Sequence, residues 1–132
     1  MEDLYLNILN DMKIDEKQKI EINKSIAYFM GWRIDNSFPD KGKIWRSPHG
    51  DIELETTFKF SIDYNRLMEV FDAVNKLEGV KVSIKDCDCT IFKNGVTFNR
   101  VINSKGTQVA IYECLGEFIL EYNKQQLITH GA

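Results

Sequence analysis

Cys87-Asp88-Cys89 is the first place in this 132-residue chain where the residue types could do chemistry. Two thiolates joined by His49 or His130 would make the donor set of a tetrahedral zinc site. The spacing argues otherwise. In an extended strand a C-x-C motif puts both thiols on one face, and the chain has no second cysteine pair. Three cysteines leave one over in any disulfide scheme, so Cys87, Cys89 and Cys114 are expected as reduced, packed thiols. A cysteine nucleophile needs a base within hydrogen-bonding reach. His49 sits in a Pro-His-Gly turn and His130 near the last residue, and neither has a partner pattern around it. Glu53 with Glu55, and Asp86 with Asp88, could work as paired acids in hydrolysis. Acids that alternate along a strand are more simply its solvated face. No catalytic residue, metal or cofactor is expected.

Lys41-Gly42-Lys43-Ile44-Trp45-Arg46, with Lys59 between Phe58 and Phe60, is a different kind of constellation. Cations interleaved with rings on a sheet can hold single-stranded nucleic acid, since bases stack on rings while cations track phosphates. Lys41, Lys43, Trp45, Arg46 and Lys59 are therefore the candidate contact residues for nucleic acid or a protein partner. The competing reading puts Trp45 and Phe60 in the core and leaves the lysines to solubilise a strand edge. Charge favours the second reading. The chain carries 17 basic and 20 acidic side chains, a net −3, where binding by phosphate neutralisation calls for a basic excess.

The elements that would position these residues are legible from periodicity. Leu4, Tyr5, Ile8, Leu9 and Met12 mark a short helix over 2–12. Asp15 is placed as an N-cap with Gln18 at the capping-box position, opening a helix from Glu16 to Met30 that Gly31 stops. Strands follow around Trp32–Asp35, Lys43–Arg46 and Phe58–Phe60, separated by turn residues. A second helix starts at Ser61 or Asp63 and ends by Gly79, with Leu67, Phe71 and Val74 on one face. Val80–Lys85 alternates as a strand, and its parity flips at Asp86, which calls for a bulge or tight turn over Lys85–Asp88. Asn94-Gly95 then reads as a type I′ hairpin between Cys89–Lys93 and Val96–Ile102. The last helix covers about Thr107 to Gln126, leaving 127–132 as a frayed tail, with Gly116 admitting a close neighbour.

Short connections between consecutive strands imply antiparallel pairing. The expected fold is a single α+β domain over 1–132, an antiparallel sheet of about four to six strands packed by three main helices on one face. No linker or repeat interrupts it, and about 70% of the unfolded surface should be buried at this length. Met1–Tyr5 lacks the features of a signal peptide and no apolar run reaches membrane-spanning length, so a cytoplasmic protein without membrane contact is expected.

Placed in this order, three segments resemble a family of small bacterial and phage proteins, the phage ABA-sandwich domain. They are Ile26–Trp32 together with Trp45, Phe60–Val70, and Cys114–Lys124, and together they span about 16–126. The chain departs where the family often has a second aromatic and a proline: Asn65 and Glu69 stand there. The resemblance implies a phage or prophage origin and helices on both sides of the sheet, and it brings no catalytic residue. The expected role is a non-enzymatic module that binds another protein, with a homodimer possible through the 2–12 helix. Single-stranded nucleic-acid binding through Lys41–Arg46 is the alternative, and an enzyme comes third.

Overall fold

The computed structural model describes residues 16–37 and 43–130, with side chains through 127. The helix expected over 2–12 and the candidate residue Lys41 lie outside the described residues. Helix α1 (Glu16–Phe29) turns its buried side, Ile22, Asn23, Ile26 and Ala27, inward. It ends in a Schellman motif: the Trp32 N–H donates to the Ala27 carbonyl at 2.9 Å and the Gly31 N–H to that of Tyr28 at 3.1 Å.

The chain then forms β1 (Arg33–Asp35), β2 (Ile44–Arg46) and β3 (Ile52–Leu54), paired antiparallel in that order. A 3₁₀ turn, Glu55–Thr57, closes β3. Helix α2 (Tyr64–Asn75) opens on Asp63, one of the two expected caps, whose carboxylate accepts the Arg66 N–H at 3.2 Å, and it ends at Asn75, before the stop expected at Gly79. Next come β4 (Val80–Lys85), β5 (Asp88–Lys93) and β6 (Val96–Ile102), again antiparallel in chain order. The parity flip at Asp86 is a tight turn, with Asp86 at φ 53° and Lys85 paired to Asp88. Asn94 and Gly95 both take positive φ, as a type I′ turn requires.

Two three-stranded sheets therefore stand where one sheet of four to six strands was expected. The cause lies at Phe58–Phe60. That stretch alternates like a strand, but it follows the 3₁₀ turn without pairing and buries both of its rings. No ladder links β3 to β4 among the described residues.

Helix α3 (Thr107–His130) organises the core, and it continues past the Gln126 end read from the pattern. Every residue from Ala110 to Gly116 is buried, so this stretch of the helix is enclosed on all sides, whereas Lys124–Leu127 are exposed. One side meets the second sheet. The Cys114 thiol donates to the Cys89 carbonyl at 3.3 Å, the Asn99 amide donates to the Cys114 carbonyl at 3.2 Å and to Glu117 at 3.1 Å, and Phe98 packs edge-on to Phe118. The opposite side meets α1. Tyr112 donates to Asn23 at 2.7 Å, Asn123 to the Ser25 carbonyl at 3.0 Å, and Tyr122 packs edge-on to Phe29.

Both sheets feed one continuous hydrophobic cluster that includes Ile26, Trp32, Trp45, Phe58, Leu67, Ile91 and Leu115. On the second sheet Val82, Cys89, Ile91 and Val101 are buried against the helices, while Lys81, Ser83, Lys85 and Arg100 on the other face are exposed. The described helices lie on one face of that sheet. Among the described residues no helix is long and apolar enough to cross a membrane.

Candidate functional site

Of the residues singled out for contact, Lys43, Trp45, Arg46 and Lys59 are described, and they differ in exposure. Lys43 and Lys59 are exposed, but Trp45 is only 6% exposed, and Phe58 and Phe60 are buried with it. The Trp45 indole N–H donates to Glu55 Oε1 at 3.2 Å, and its ring lies edge-on to Phe58 at 5.8 Å. A ring held this way offers bases no face to stack on. Arg46 spends its guanidinium on Asp35, with Nε donating at 2.7 Å. The Ser37 N–H and Arg46 together hold the Asp35 carboxyl down to about 2. Among the described candidates Lys43 and Lys59 remain as exposed cations.

Three of the four candidate acids, Glu53, Glu55 and Asp88, are committed to structure, and Asp86 is exposed in the β4–β5 turn. Glu53 is ion-paired with Arg66, whose guanidinium lies 5.7 Å from the Trp32 ring. Glu55 holds Trp45 and lies 3.9 Å from Lys24. Asp88 takes a bidentate fork from Arg100, which holds its carboxyl below the usual range.

Cys87 is half-buried in the β4–β5 turn, whereas Cys89 and Cys114 are fully buried. The Cys114 thiol is driven up by hydrogen bonding to Cys89 and by burial. No cluster of three or more His, Cys, Asp or Glu side chains among the described residues is arranged to hold a metal. Thiolate chemistry needs exposure and a lowered pKa. A thiol-specific alkylating reagent is therefore expected to add once to the native protein, at Cys87, and three times after unfolding, as peptide mass spectrometry would show. Early modification of Cys114 would contradict this packing.

Two features emerge instead, neither singled out in the sequence. The first is a cavity of about 220 Å³ where four segments converge. The first turn of α1 contributes Glu16 and Lys19, and Ser61 and Ile62 approach from the segment before α2. The β6–α3 loop adds Asn103 and Lys105, and α3 supplies Val109, Tyr112 and Glu113. Asn103 pins this corner: its side-chain amide donates to Glu113 Oε1 at 2.8 Å, while its Oδ1 accepts the Lys105 N–H at 2.9 Å. Gln108 ties α3 to the Ser61 carbonyl at 3.0 Å. Burial first, then the nearby charges of Glu16 and Glu113, push the Tyr112 phenol up. One sequence signal was available: Glu113 is the charge within the otherwise uncharged run Val109–Gly116.

The second feature is the edge of the second sheet. No strand pairs with the outer side of β6 among the described residues. The Asn103 N–H donates to the Cys87 carbonyl at 2.9 Å, continuing the β5–β6 ladder. Antiparallel alternation then turns the backbone groups of Arg100 and Ile102 away from β5, toward the open side. Val96, Phe98 and Ile102 on this strand are 69%, 43% and 62% exposed. The opposite edge is blocked, because the Asn75 side chain accepts the Val82 N–H at 2.9 Å.

No family model, curated protein or solved structure matches this chain.

Proposed function

We propose that this is a phage- or prophage-related accessory protein, non-enzymatic, that binds another protein by taking an extended segment of it along β6. The observation that supports this reading is the combination on one strand of outward-pointing backbone groups and exposed Val96, Phe98 and Ile102. Added strands derive affinity from main-chain hydrogen bonds and specificity from alternate side chains. Soluble proteins usually blunt such an edge with short strands, proline, charge or a covering element. Here β4 is treated that way, whereas the seven-residue β6, although interrupted by a bulge opposite Ile91 and Phe92, has no covering element among the described residues. Phage or prophage ancestry rests on the three segments that resemble the ABA-sandwich family. Placement in the cytoplasm rests on the free thiols, which stay reduced there.

The test is affinity capture from a nuclease-treated lysate of the native host, comparing the parent with Ile102→Pro. Proline removes an N–H that points away from β5, so the β5–β6 ladder stays intact. A protein retained by the parent and lost from Ile102→Pro is the expected result. Equal retention by both would place the contact elsewhere, and capture that disappears on nuclease treatment would favour nucleic acid.

A further inference from the structure

We propose that the outer face of the second sheet, the one turned away from the described helices, binds single-stranded nucleic acid. This goes beyond strand addition at β6, which uses backbone groups at the edge of that sheet rather than side chains on its face.

Charge marks the surface. Residues 80–102 hold four basic and two acidic side chains, so this sheet is net +2 within a chain of net −3. The local balance is what a ligand meets, because exposed charges more than about 10 Å apart are largely screened from one another at 0.1 M salt. Val82, Cys89, Ile91 and Val101 point to the helices, so strand alternation sends Lys81, Lys85 and Arg100 to the outer face. All three are exposed. The two acids offset them only in part. Asp86 stands at the margin in the β4–β5 turn, and Asp88 takes Nε and Nη2 of Arg100 while Nη1 lies outside that fork.

A ring sets the class of ligand. Phe92 alternates with buried Ile91 onto this same face, lies outside the hydrophobic core cluster and is half-buried. Its neighbours across the sheet are Lys81 on β4 and Thr97 on β6. Arg100 stands one row along from it and Lys85 two rows along. The cations are thus spread over about 13 Å along the strands and about 10 Å across them, with the ring among them. An acidic peptide would use the cations and leave the ring idle. A nucleic acid uses both, with phosphates on the cations and a base stacked on Phe92. The strand must be single, because a duplex offers a protein only base edges in its grooves.

Fluorescence anisotropy of labelled oligothymidylate and oligouridylate of about 15 nucleotides, titrated with the full chain, tests the assignment and separates DNA from RNA. At least one is expected to bind. Its log K should fall against log salt with a slope of about −2, as three phosphate contacts on a single strand require. Lys85→Ala alters an exposed side chain and should flatten that slope by about 0.7. Phe92→Ala should weaken binding by about tenfold at an unchanged slope, with circular dichroism confirming the fold. Lys43→Ala and Lys59→Ala, which lie outside this sheet, should change nothing. Four results would overturn the proposal. They are no anisotropy change up to about 100 μM protein at low salt, an unaltered slope in Lys85→Ala, full affinity in a folded Phe92→Ala, or displacement by poly-L-glutamate as effective, charge for charge, as by unlabelled oligonucleotide. The last would give the face to an acidic protein segment.

Discussion

Trp45→Ala is expected to destabilise the protein by about 3–5 kcal/mol, the range for truncating a large aromatic in a packed core. The indole is buried among rings that depend on one another. Phe58 touches Trp45 at 5.8 Å, Trp32 at 5.4 Å and Phe60 at 5.5 Å between centroids. Removing Trp45 opens a cavity beside Phe58 and also leaves Glu55 without its indole donor. Urea denaturation followed by circular dichroism reads the change as a lower midpoint at an unaltered slope. Lys43→Ala and Lys59→Ala, both on exposed side chains, should change stability by no more than about 0.5 kcal/mol. A Trp45→Ala protein as stable as the parent would return this ring to the surface.

Gly116→Val should be nearly as damaging, through excess volume instead of a cavity. A Cβ at Gly116 would stand 2.5 Å from Ile22 Cγ2, closer than such atoms approach. The contact joins two buried helix faces, and Ile22 is β-branched with essentially one rotamer open to it in a helix. It cannot swing aside. Alanine alone should cost about 1–3 kcal/mol in overpacking, offset by up to about 1 kcal/mol of recovered helix propensity. Valine should exceed about 3 kcal/mol. Trimming the neighbour tests the cause. In a double-mutant cycle, Ile22→Ala should be less costly beside Gly116→Ala than in the parent, by about 1 kcal/mol or more. Additivity would show that the helices do not meet at this point.

Local chemistry was what the sequence made readable. Asp63 caps α2, Gly31 ends α1 and Asn94-Gly95 turns β5 into β6, because each of these depends only on near neighbours in the chain. Pairing across longer distances was not readable. Phe58-Lys59-Phe60 alternates as a strand would, yet the 3₁₀ turn before it carries both rings into the core without a ladder partner, and the sheet divides there. Trp45 shows the same limit. Alternation assigns it a face but does not say which face is covered, and cover comes from Phe58, thirteen residues later. The cavity draws on residues from 16 to 113, and no local pattern unites them. The stripe Ile111, Cys114, Leu115, Phe118, Ile119 and Tyr122 of α3 was readable as its inward face, but burial of the whole stretch Ala110–Gly116, Glu113 included, was not.

The Asn75 side chain lying against Val82 has a consequence for stoichiometry. Strands β1 and β3 are three residues long, and β4 is stopped by Asn75, so growth from any of those edges is disfavoured. A sheet open at both margins passes its edge on to each newcomer and extends into a fibre. Under the proposed strand addition, two copies laid β6 against β6 would each end at a β4 stopped by Asn75, so that pairing would close on itself.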